Sequence, residues 1–597
     1  MSSATWARRG VIGLIAVVLA LYPVLRPDNR YHHTVLVFIF LLGVMAVGWN
    51  VIAGYTGYVS LGQSAFLGIG AYTVGIISRY VDVSPMLFAP LGGVVAAIVA
   101  AGLGLTIMRT REHAFVIITI AFLFLMQALG LNLRGITRGS NGITLPIPRW
   151  DPDLGNMPFY YALFGLLALS VLMAWWIRRT KLGMGLVAIR EDEDKAAAIG
   201  VRTSVYKILA FVASATLVGV AGGVYAYFLT FIDPRGMFDI LVSVQIVLAV
   251  LLGGRGTLWG PVLGAFVIIP LNEFTVDVAT GEGVRLFVFG LALGAVVLFL
   301  PRGVIPTIKT FLERRRPRPV AFERRSAEVS LPRVQPVSEA APARALLEVD
   351  GLAKRFGGVA AVDDCSFSVR EGTLTALIGP NGSGKTTVFN LVTGMMRPDA
   401  GSIHLDGTRI DGMLPWDRAY LGLGRTFQLT RLFPQLTVVE NVVAPLREFR
   451  WRNLVADAVT GPEAERAEEL LEFVGMAHFA HQHAWQLSFG QQKLVELAQA
   501  LMLEPRLVLL DEPAGGVNPG LIERISELIR ELNRKGLTFL IVEHNMPLVL
   551  ELCDPILVMA RGRVIAEGDP GHIQNDPAVL DAYLGEDWGK TAEPVEA

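Results

Sequence analysis

The stretch TLTALIGPNGSGKTTVFNLVTGM, residues 373–395, decides how the second half of this chain folds. An apolar, β-favouring run leads into a glycine-rich turn, and the turn opens directly onto the pattern of a helix. Gly379, Gly384, Lys385 and Thr386 stand at the spacing of a phosphate-binding loop. Glycines let backbone N–H groups curl round phosphate oxygens, the lysine reaches the β and γ oxygens, and the next hydroxyl ligates Mg²⁺. A glycine-rich string by itself marks only a turn; the Lys-Thr pair and the strand-to-helix setting make the signal specific.

Working outward, RLVLLDEP (506–513) reads as a buried strand ending in Asp511 and Glu512. Ligands gather at the carboxyl ends of parallel strands, so Asp511 is expected to hold Mg²⁺ through water and Glu512 to polarise the attacking water as general base. Between the two motifs, LSFGQQK (487–493) puts Ser488 and Gly490 at the start of an expected helix over 490–503, a second ready phosphate site. From residue 345, ALLEVDGLAKRFGG begins short β-rich runs alternating with amphipathic helices, which implies an α/β domain with a mostly parallel sheet.

The first 300 residues are of another kind. Of the 597 residues, 52% are hydrophobic and 18% charged, and the charge deficit is confined to this half. Apolar segments near 11–25, 34–53, 59–78, 86–108, 114–132, 158–177, 208–232, 240–253, 257–271 and 286–300 predict about ten membrane spans, the short pair at 240–271 being the weakest. Arg8 and Arg9, RTREH (109–113), RRTK (178–181) and the Pro-Arg-Gly at 301–303 follow even numbers of crossings, so all fall on one side, read as cytoplasmic. The first span follows two arginines without a small-residue cleavage site, which argues against a removed signal peptide. The expected spans hold no ionisable residue, against a proton-driven carrier. Ser60, Gln63, Ser64 and Tyr72 within VSLGQSAFLGIGAYT (59–73) read first as close helix packing, with substrate contact as the alternative.

The expected division is a membrane-spanning domain at 1–305, a basic, proline-rich linker at 306–344, the α/β domain at 345–588 and a tail at 589–597. A net charge of −1 argues against a nucleic-acid partner, and RRRPRPVAFERR (314–325) reads instead as facing anionic lipid. Two cysteines, Cys365 and Cys553, far apart and without a CxxC, suggest neither disulfide nor zinc site. His478, His481 and His483 in HFAHQHAW lack cysteine or carboxylate company and read as an ordinary loop.

A signature such as LSFGQQK about twenty residues before an Asp-Glu strand resembles the ATP-binding-cassette ATPases. The resemblance covers nearly all of 345–588. It implies that Phe356 in KRFGG stacks on adenine, that Gln428 in RTFQ joins Mg²⁺ and water to the membrane interface, and that His544 in IVEHN sits at the γ-phosphate. It makes Gly379, Pro380, Asn381, Gly382, Ser383, Gly384, Lys385, Thr386, Thr387, Ser488, Gly490 and Gln491 the other ATP-binding candidates, Thr386, Gln428 and Asp511 the Mg²⁺ set, and Glu512, His544 and Gln428 the catalytic set. The chain departs from the common pattern with Phe489 in place of glycine and Asn518 in place of aspartate in GGVNP (515–519). LSFGQQK, RTFQLTRLFPQLTVVENV (425–442) and AYLGE (582–586) are more specific and resemble the LivG-type ATPase of branched-chain amino-acid importers.

The first half resembles the LivM-type permease of the same systems, through GWNVIAGYTGYVSLGQSAFLGIGAYT (48–73), RGITRGSNGI (134–143) and LLGGRGTLWGPVLGA (251–265). The chain then looks like a permease and an ATPase subunit fused: a polytopic α-helical membrane domain joined to a phosphate-loop α/β domain with a helical subdomain. The resemblance implies ATP-driven import of leucine, isoleucine, valine or related solutes, urea, amides and aromatic acids among them, across the bacterial inner membrane, with the ATPase cytoplasmic. It implies a solute-binding protein and, because each ATP closes between the phosphate loop of one cassette and the signature of another, a second cassette from another chain. A partner with LivH-type permease and LivF-type ATPase is favoured over a homodimer. Short loops argue against an exporter and against a non-transport machine with large external domains.

Finally, AIREDEDKAAAIGVR (188–202) lies on the cytoplasmic side, is rich in helix formers and ends at Gly200. Taken alone it is a solvated charged helix. The resemblance implies a coupling helix that docks on the cassette through Glu191, Asp194, Ala196, Ala197 and Gly200.

Overall fold

The computed structural model describes residues 3–108, 110, 112–278, 282–300, 303–313, 344–428 and 430–584. The expected linker, apart from 306–313 and 344, and the expected tail lie outside the described residues. The chain divides into two compact units, one of Met1–Arg179 with Ser204–Val320 and one of Thr180–Thr203 with Ala321–Ala597. Thr180–Thr203, a loop between two apolar helices, groups with the α/β part.

In the first unit every expected apolar segment is helical: Ser3–Leu25, Arg30–Trp49, Gln63–Ile77, Ala89–Ile107, Glu112–Asn132, Met157–Arg179, Thr203–Leu229, Ile240–Gly253, Gly260–Val278 and Glu282–Phe299. Among the described residues six stretches are long and apolar enough to cross a bilayer, and Gly13–Leu25, Gln63–Ile77 and Gly260–Phe274 are shorter apolar helices. Several helices begin earlier than their apolar runs, among them the one expected at 208–232, which starts at Thr203 because polar residues continue the helical turns; Lys207 is thereby buried within it, with Nζ 3.0 Å from the Tyr58 hydroxyl and 4.4 Å from the ring centre. Lys207 lies just before the expected span 208–232, which itself holds no ionisable residue.

Two of the three stretches that carry the permease resemblance meet in this unit. Asn50, in a π-helical turn Asn50–Gly54, donates to the Thr257 carbonyl at 2.9 Å and accepts from the Gly256 N–H at 2.8 Å. Arg255 donates to the carbonyls of Ala53 and Gly57 at this helix end, the first of which also accepts from the Gly57 N–H. The third stretch forms a short helix, Arg134–Thr137, and a turn, and its last residue, Ile143, opens a two-residue antiparallel ribbon against Ile232. Helix Gln63–Ile77 is buried over most of its length and is held by neutral polar pairs, Gln63 to Ser214 at 2.6 Å and Ser64 to Ser243 at 3.0 Å. Gly70, Gly92 and Gly219 bring three helices into backbone contact there, the packing expected of small residues in membrane helices. Tyr72 stacks on Phe238, ring centres 5.7 Å apart.

The second unit has strands β1 (Ala345–Phe356), β2 (Val359–Arg370), β3 (Leu374–Ile378), β4 (Ala400–Leu405), β5 (Thr408–Arg409), β6 (Leu423–Arg425), β7 (Leu507–Asp511), β8 (Thr538–Val542), β9 (Ile556–Ala560) and β10 (Arg563–Gly568). They form a six-stranded sheet in the order β10-β9-β3-β8-β7-β6 and a four-stranded antiparallel sheet in the order β2-β1-β4-β5. In the larger sheet β9, β3, β8, β7 and β6 are mutually parallel, and only β10 runs against its neighbour. β3, β7 and β8 are buried along their whole length, as the unbroken apolar runs require of strands covered on both faces. Their register puts Val542 beside both Leu377 and Asp511, so the loops that follow all three strands leave the sheet at one edge.

Candidate functional site: a nucleotide-hydrolysis centre at one sheet edge

The loop after β3 is built around positive backbone angles. Gly379 and Gly384 have φ of +149° and +104°, and a Cβ at either would overlap a carbonyl oxygen, of Met559 or Ala361. Gly384 is the N-cap of helix Lys385–Val392, which directs free N–H groups at the loop. Lys385 is buried, with Nζ 2.7 Å from the Gly379 carbonyl and 3.0 Å from that of Pro380. Burial pulls its pKa down, against the nearby charges of Glu512 and Asp511. Asn381 and Thr386 are exposed, with Thr386 at the helix start. The far end of this helix is closed by Arg418, a fully buried side chain that donates to the carbonyls of Leu391 and Val392 at 2.6 and 2.7 Å and to those of Asp411 and Met413. Burial lowers the Arg418 pKa to about 10.

Asp511, at the end of β7, is 4% exposed and faces Arg425, Nη2 to Oδ2 3.6 Å. Burial raises its pKa, opposed by Arg425. Arg425 also donates to Asn390 and Thr393, both at 2.8 Å, and so joins the phosphate-loop helix to the acidic strand. Glu512 adopts φ +49°, uncommon for a side chain, and is held there by its N–H to Val542 O at 2.8 Å and by Lys493, whose Nζ lies 2.6 Å from the Glu512 carbonyl and 3.2 Å from that of Pro513. His544 Nε2 is 2.9 Å from Glu512 Oε1, with the imidazole about half exposed.

These contacts bring Lys385, Asp511, Glu512 and His544 together at the sheet edge. Phe356 and Gln428 sit on other elements: Phe356 is exposed at the end of β1, beside the hairpin turn, and Gln428 is exposed in the loop after β6. Ser488 is the N-cap of helix Phe489–Leu501, one residue longer at its start than expected, and its capping box uses the Gln491 side chain. Gly490 lies against Leu521, where a Cβ would collide, and Asn518 caps helix Pro519–Arg534. Thr386, Gln428 and Asp511 offer a hydroxyl, an amide and a carboxylate, the oxygen donors a hard divalent cation such as Mg²⁺ takes.

Sequence reasoning passed over two residues here. Glu543 is buried, and its carboxylate accepts from the N–H of Ala514 at 2.6 Å, of His544 at 2.9 Å and of Asn545 at 3.1 Å, tying the loops after β7 and β8 together. Its only signal in the sequence is an acid at the end of an apolar run. Lys493 gave none, since one lysine in a helix reads as surface.

The segment Thr180–Thr203 departs from a single helix. Helices Lys181–Glu191 and Glu193–Ala198 are separated by Asp192, extended at φ −160°, whose side chain caps the second helix by accepting from Lys195 N at 2.8 Å. The second helix ends in a Schellman turn, with Val201 N–H on the Ala196 carbonyl and Gly200 at φ +94°. A Cβ at Gly200 would overlap the Leu446 carbonyl. The carbonyls left over at this end are taken by the cassette: Ile199 O by Leu446 N–H at 2.9 Å and Gly200 O by the Tyr420 hydroxyl at 2.6 Å. Ala196 and Ala197 are buried. Of the acidic pair expected to face the cassette, Glu191 bonds its neighbour Arg190 and Asp194 is exposed. The ion pairs to the rest of the unit come instead from Asp192 to Arg431 at 2.8 Å, Lys195 to Glu496 at 2.8 Å, Arg202 to Asp417 at 3.5 Å, and Lys181 to Glu463.

Comparison with known proteins agrees with this geometry. Residues 31–298 match the family described as branched-chain amino acid transport system / permease component, residues 362–515 match the ABC transporter family, and residues 563–588 match the branched-chain amino acid ATP-binding cassette transporter family. The high-affinity branched-chain amino acid transport ATP-binding protein BraF of Pseudomonas aeruginosa is 40% identical over 252 residues, 41% of this chain and 99% of that protein. LivG of Salmonella typhimurium, which bears the same description, is 40% identical over 250 residues, 40% of this chain and 98% of its own. A crystal structure of a nucleotide-free ATP-binding cassette from an ABC transporter is 36% identical, covered over 100% of its length by 41% of this chain, with a TM-score of 0.37. The chain belongs to the branched-chain amino acid ABC transporter family and carries, in one polypeptide, a permease component followed by an ABC ATPase.

Proposed function

We propose that this chain imports branched-chain amino acids, or chemically related small solutes, across the bacterial inner membrane at the expense of ATP hydrolysed by its cytoplasmic cassette. The observation that supports this most directly is that Thr180–Thr203, a loop between two permease helices, packs as part of the cassette unit. A coupling element is what ATP-driven transport needs and what an ATPase unconnected to a membrane path does not.

In this reading the loop Gly379–Gly384 with Lys385, Thr386 and Thr387 takes the phosphates, Phe356 takes the adenine, and Ser488, Gly490 and Gln491 close on the ATP of a neighbouring cassette. Thr386, Gln428 and Asp511 would hold Mg²⁺, which when bound neutralises charge on the β and γ oxygens. Glu512 draws the proton from the attacking water and His544, hydrogen-bonded to it, orients that carboxylate. With one phosphate loop and one signature per chain, the working assembly needs a second cassette. Because each half resembles one member of a subunit pair, a LivH-type permease and LivF-type ATPase are the proposed partners, and a solute-binding protein delivers the solute.

The test is uptake by proteoliposomes that hold the chain with its co-purifying subunits and binding protein. ATP-dependent accumulation of leucine, isoleucine or valine is expected. Accumulation of urea, an amide or an aromatic acid in their place would revise the solute; ATP hydrolysis with efflux or with no solute movement would overturn the reading.

A further inference from the structure

Lys195 is the feature of the docked segment that docking alone does not explain. It is 1% exposed and its partner Glu496 is 3% exposed. The Lys195 Nζ lies 2.8 Å from Glu496 Oε1 and 5.8 and 5.7 Å from the ring centres of Phe427 and Phe433, which shield the pair from water. Removing two charges from water is costly, and an apolar pair of similar size would hold the segment at least as well. Ala196, Ala197, Ala198 and Ile199 already supply an apolar seat.

What the pair does supply is a polar path toward the hydrolytic residue. Glu496 lies on helix Phe489–Leu501, one turn beyond Lys493, so the two face the same way. Both are buried, and both line a cavity of about 30 Å³ that also touches Thr426, Asp511 and Pro513, room for about one water sphere. Lys493 in turn holds the carbonyls of Glu512 and Pro513. From Lys195 the connection thus runs through Glu496 and Lys493 to the backbone that fixes Glu512 in its left-handed conformation.

We propose that Lys195 is a positioning residue for ATP hydrolysis: with Glu496 and Lys493 it aligns Glu512 when Thr180–Thr203 is seated on the cassette, so that hydrolysis depends on the seated segment. The proposal rests on the coupling role given to this segment above. Glu496 also faces the charges of Lys493 and buried Arg425; when the segment leaves, it loses the Lys195 ion pair, pulls harder on Lys493, and draws that ammonium away from the Glu512 carbonyl.

The experiment uses the full chain with its co-purifying subunits in lipid nanodiscs. Ile199→Cys with Leu446→Cys reports seating by cross-linking, and ATP turnover is measured as kcat and KM in Lys195→Met, Lys195→Arg, Lys195→Glu, Glu496→Lys and the last two combined. The expected result is a normal cross-link in Lys195→Met, kcat lowered about 10–100-fold with KM within about 2-fold, recovery in Lys195→Arg, and partial recovery in the charge-swapped double variant. A normal cross-link with unchanged kcat overturns the relay and leaves the coupling reading standing. A parallel loss of kcat and ATP affinity that Lys195→Arg does not rescue shows a merely structural residue and also overturns it. Failure to cross-link in the otherwise unaltered chain overturns the seated segment and the relay together.

Discussion

Nε2 of His544 stands 2.9 Å from Oε1 of Glu512, although the two residues follow different strands, β8 and β7. Glu512, the proposed general base, is expected to lose that function when its charge is removed and its shape kept. Glu512→Gln should lower phosphate release about 10²–10⁴-fold while ATP still binds. Turnover within a few fold of the unaltered protein would end the assignment.

Lys385 is buried among carbonyls, and its pKa lies below the ordinary lysine range. Bound phosphates favour the ammonium and raise the pKa again. Between the free and bound values the complex therefore holds more protons than the free protein, so ATP binding takes up protons and affinity falls as pH rises. Calorimetry in two buffers of different ionisation heat, followed upward in pH toward the ordinary lysine range, reads the uptake directly; release of protons would contradict it.

Arg418 closes the end of the phosphate-loop helix with bonds to four carbonyls. Arg418→Met removes the side-chain donor from all four carbonyls, of which Leu391 keeps the Gly394 N–H, and should cost about 3–5 kcal/mol. For a domain of this size that is a fall in Tm of roughly 2–4 °C per kcal/mol. Arg418→Lys should recover only part, because an ammonium lacks the planar fork. Thermal unfolding followed by intrinsic fluorescence checks both.

Asp192 both caps helix Glu193–Ala198 and pairs with Arg431, whereas Asp194 is exposed. Asp192→Ala is expected to weaken seating of the segment by about 1–2 kcal/mol, through the lost cap and ion pair, and to lower the ratio of solute moved to ATP hydrolysed. Asp194→Ala should leave that ratio within error. Uptake and phosphate release measured on the same proteoliposomes decide between them, and equal effects would contradict the assigned roles.

Much of the cassette was legible because its chemistry is local. The run Leu374–Ile378, the glycines after it and Lys385 lie within a dozen residues, and their geometry follows from steric freedom at glycine and burial of an apolar strand. The capping box of Ser488 and Gln491 is likewise written in adjacent residues. The membrane half was legible as apolar helices for the same reason, apart from the early start that buries Lys207. Glu543 and Lys493 were not legible: a buried carboxylate that gathers three N–H groups looks, in one dimension, like any acid at a strand end.

The charged segment at 188–202 marks the boundary between the two kinds of information. Sequence by itself determined that it is helical in part, that Gly200 ends it, and that it interrupts a membrane domain, because helix propensity, left-handed glycine and hydropathy act between near neighbours. Only the tertiary structure decided that Asp192 breaks the helix, that Lys195 rather than Asp194 meets the cassette, and that Ile199 and Gly200 hand their carbonyls to Leu446 and Tyr420. Lys195 and Glu496 are 301 positions apart. A charge becomes a partner rather than a solvated group only when packing removes the water around it, and no window of sequence contains that event.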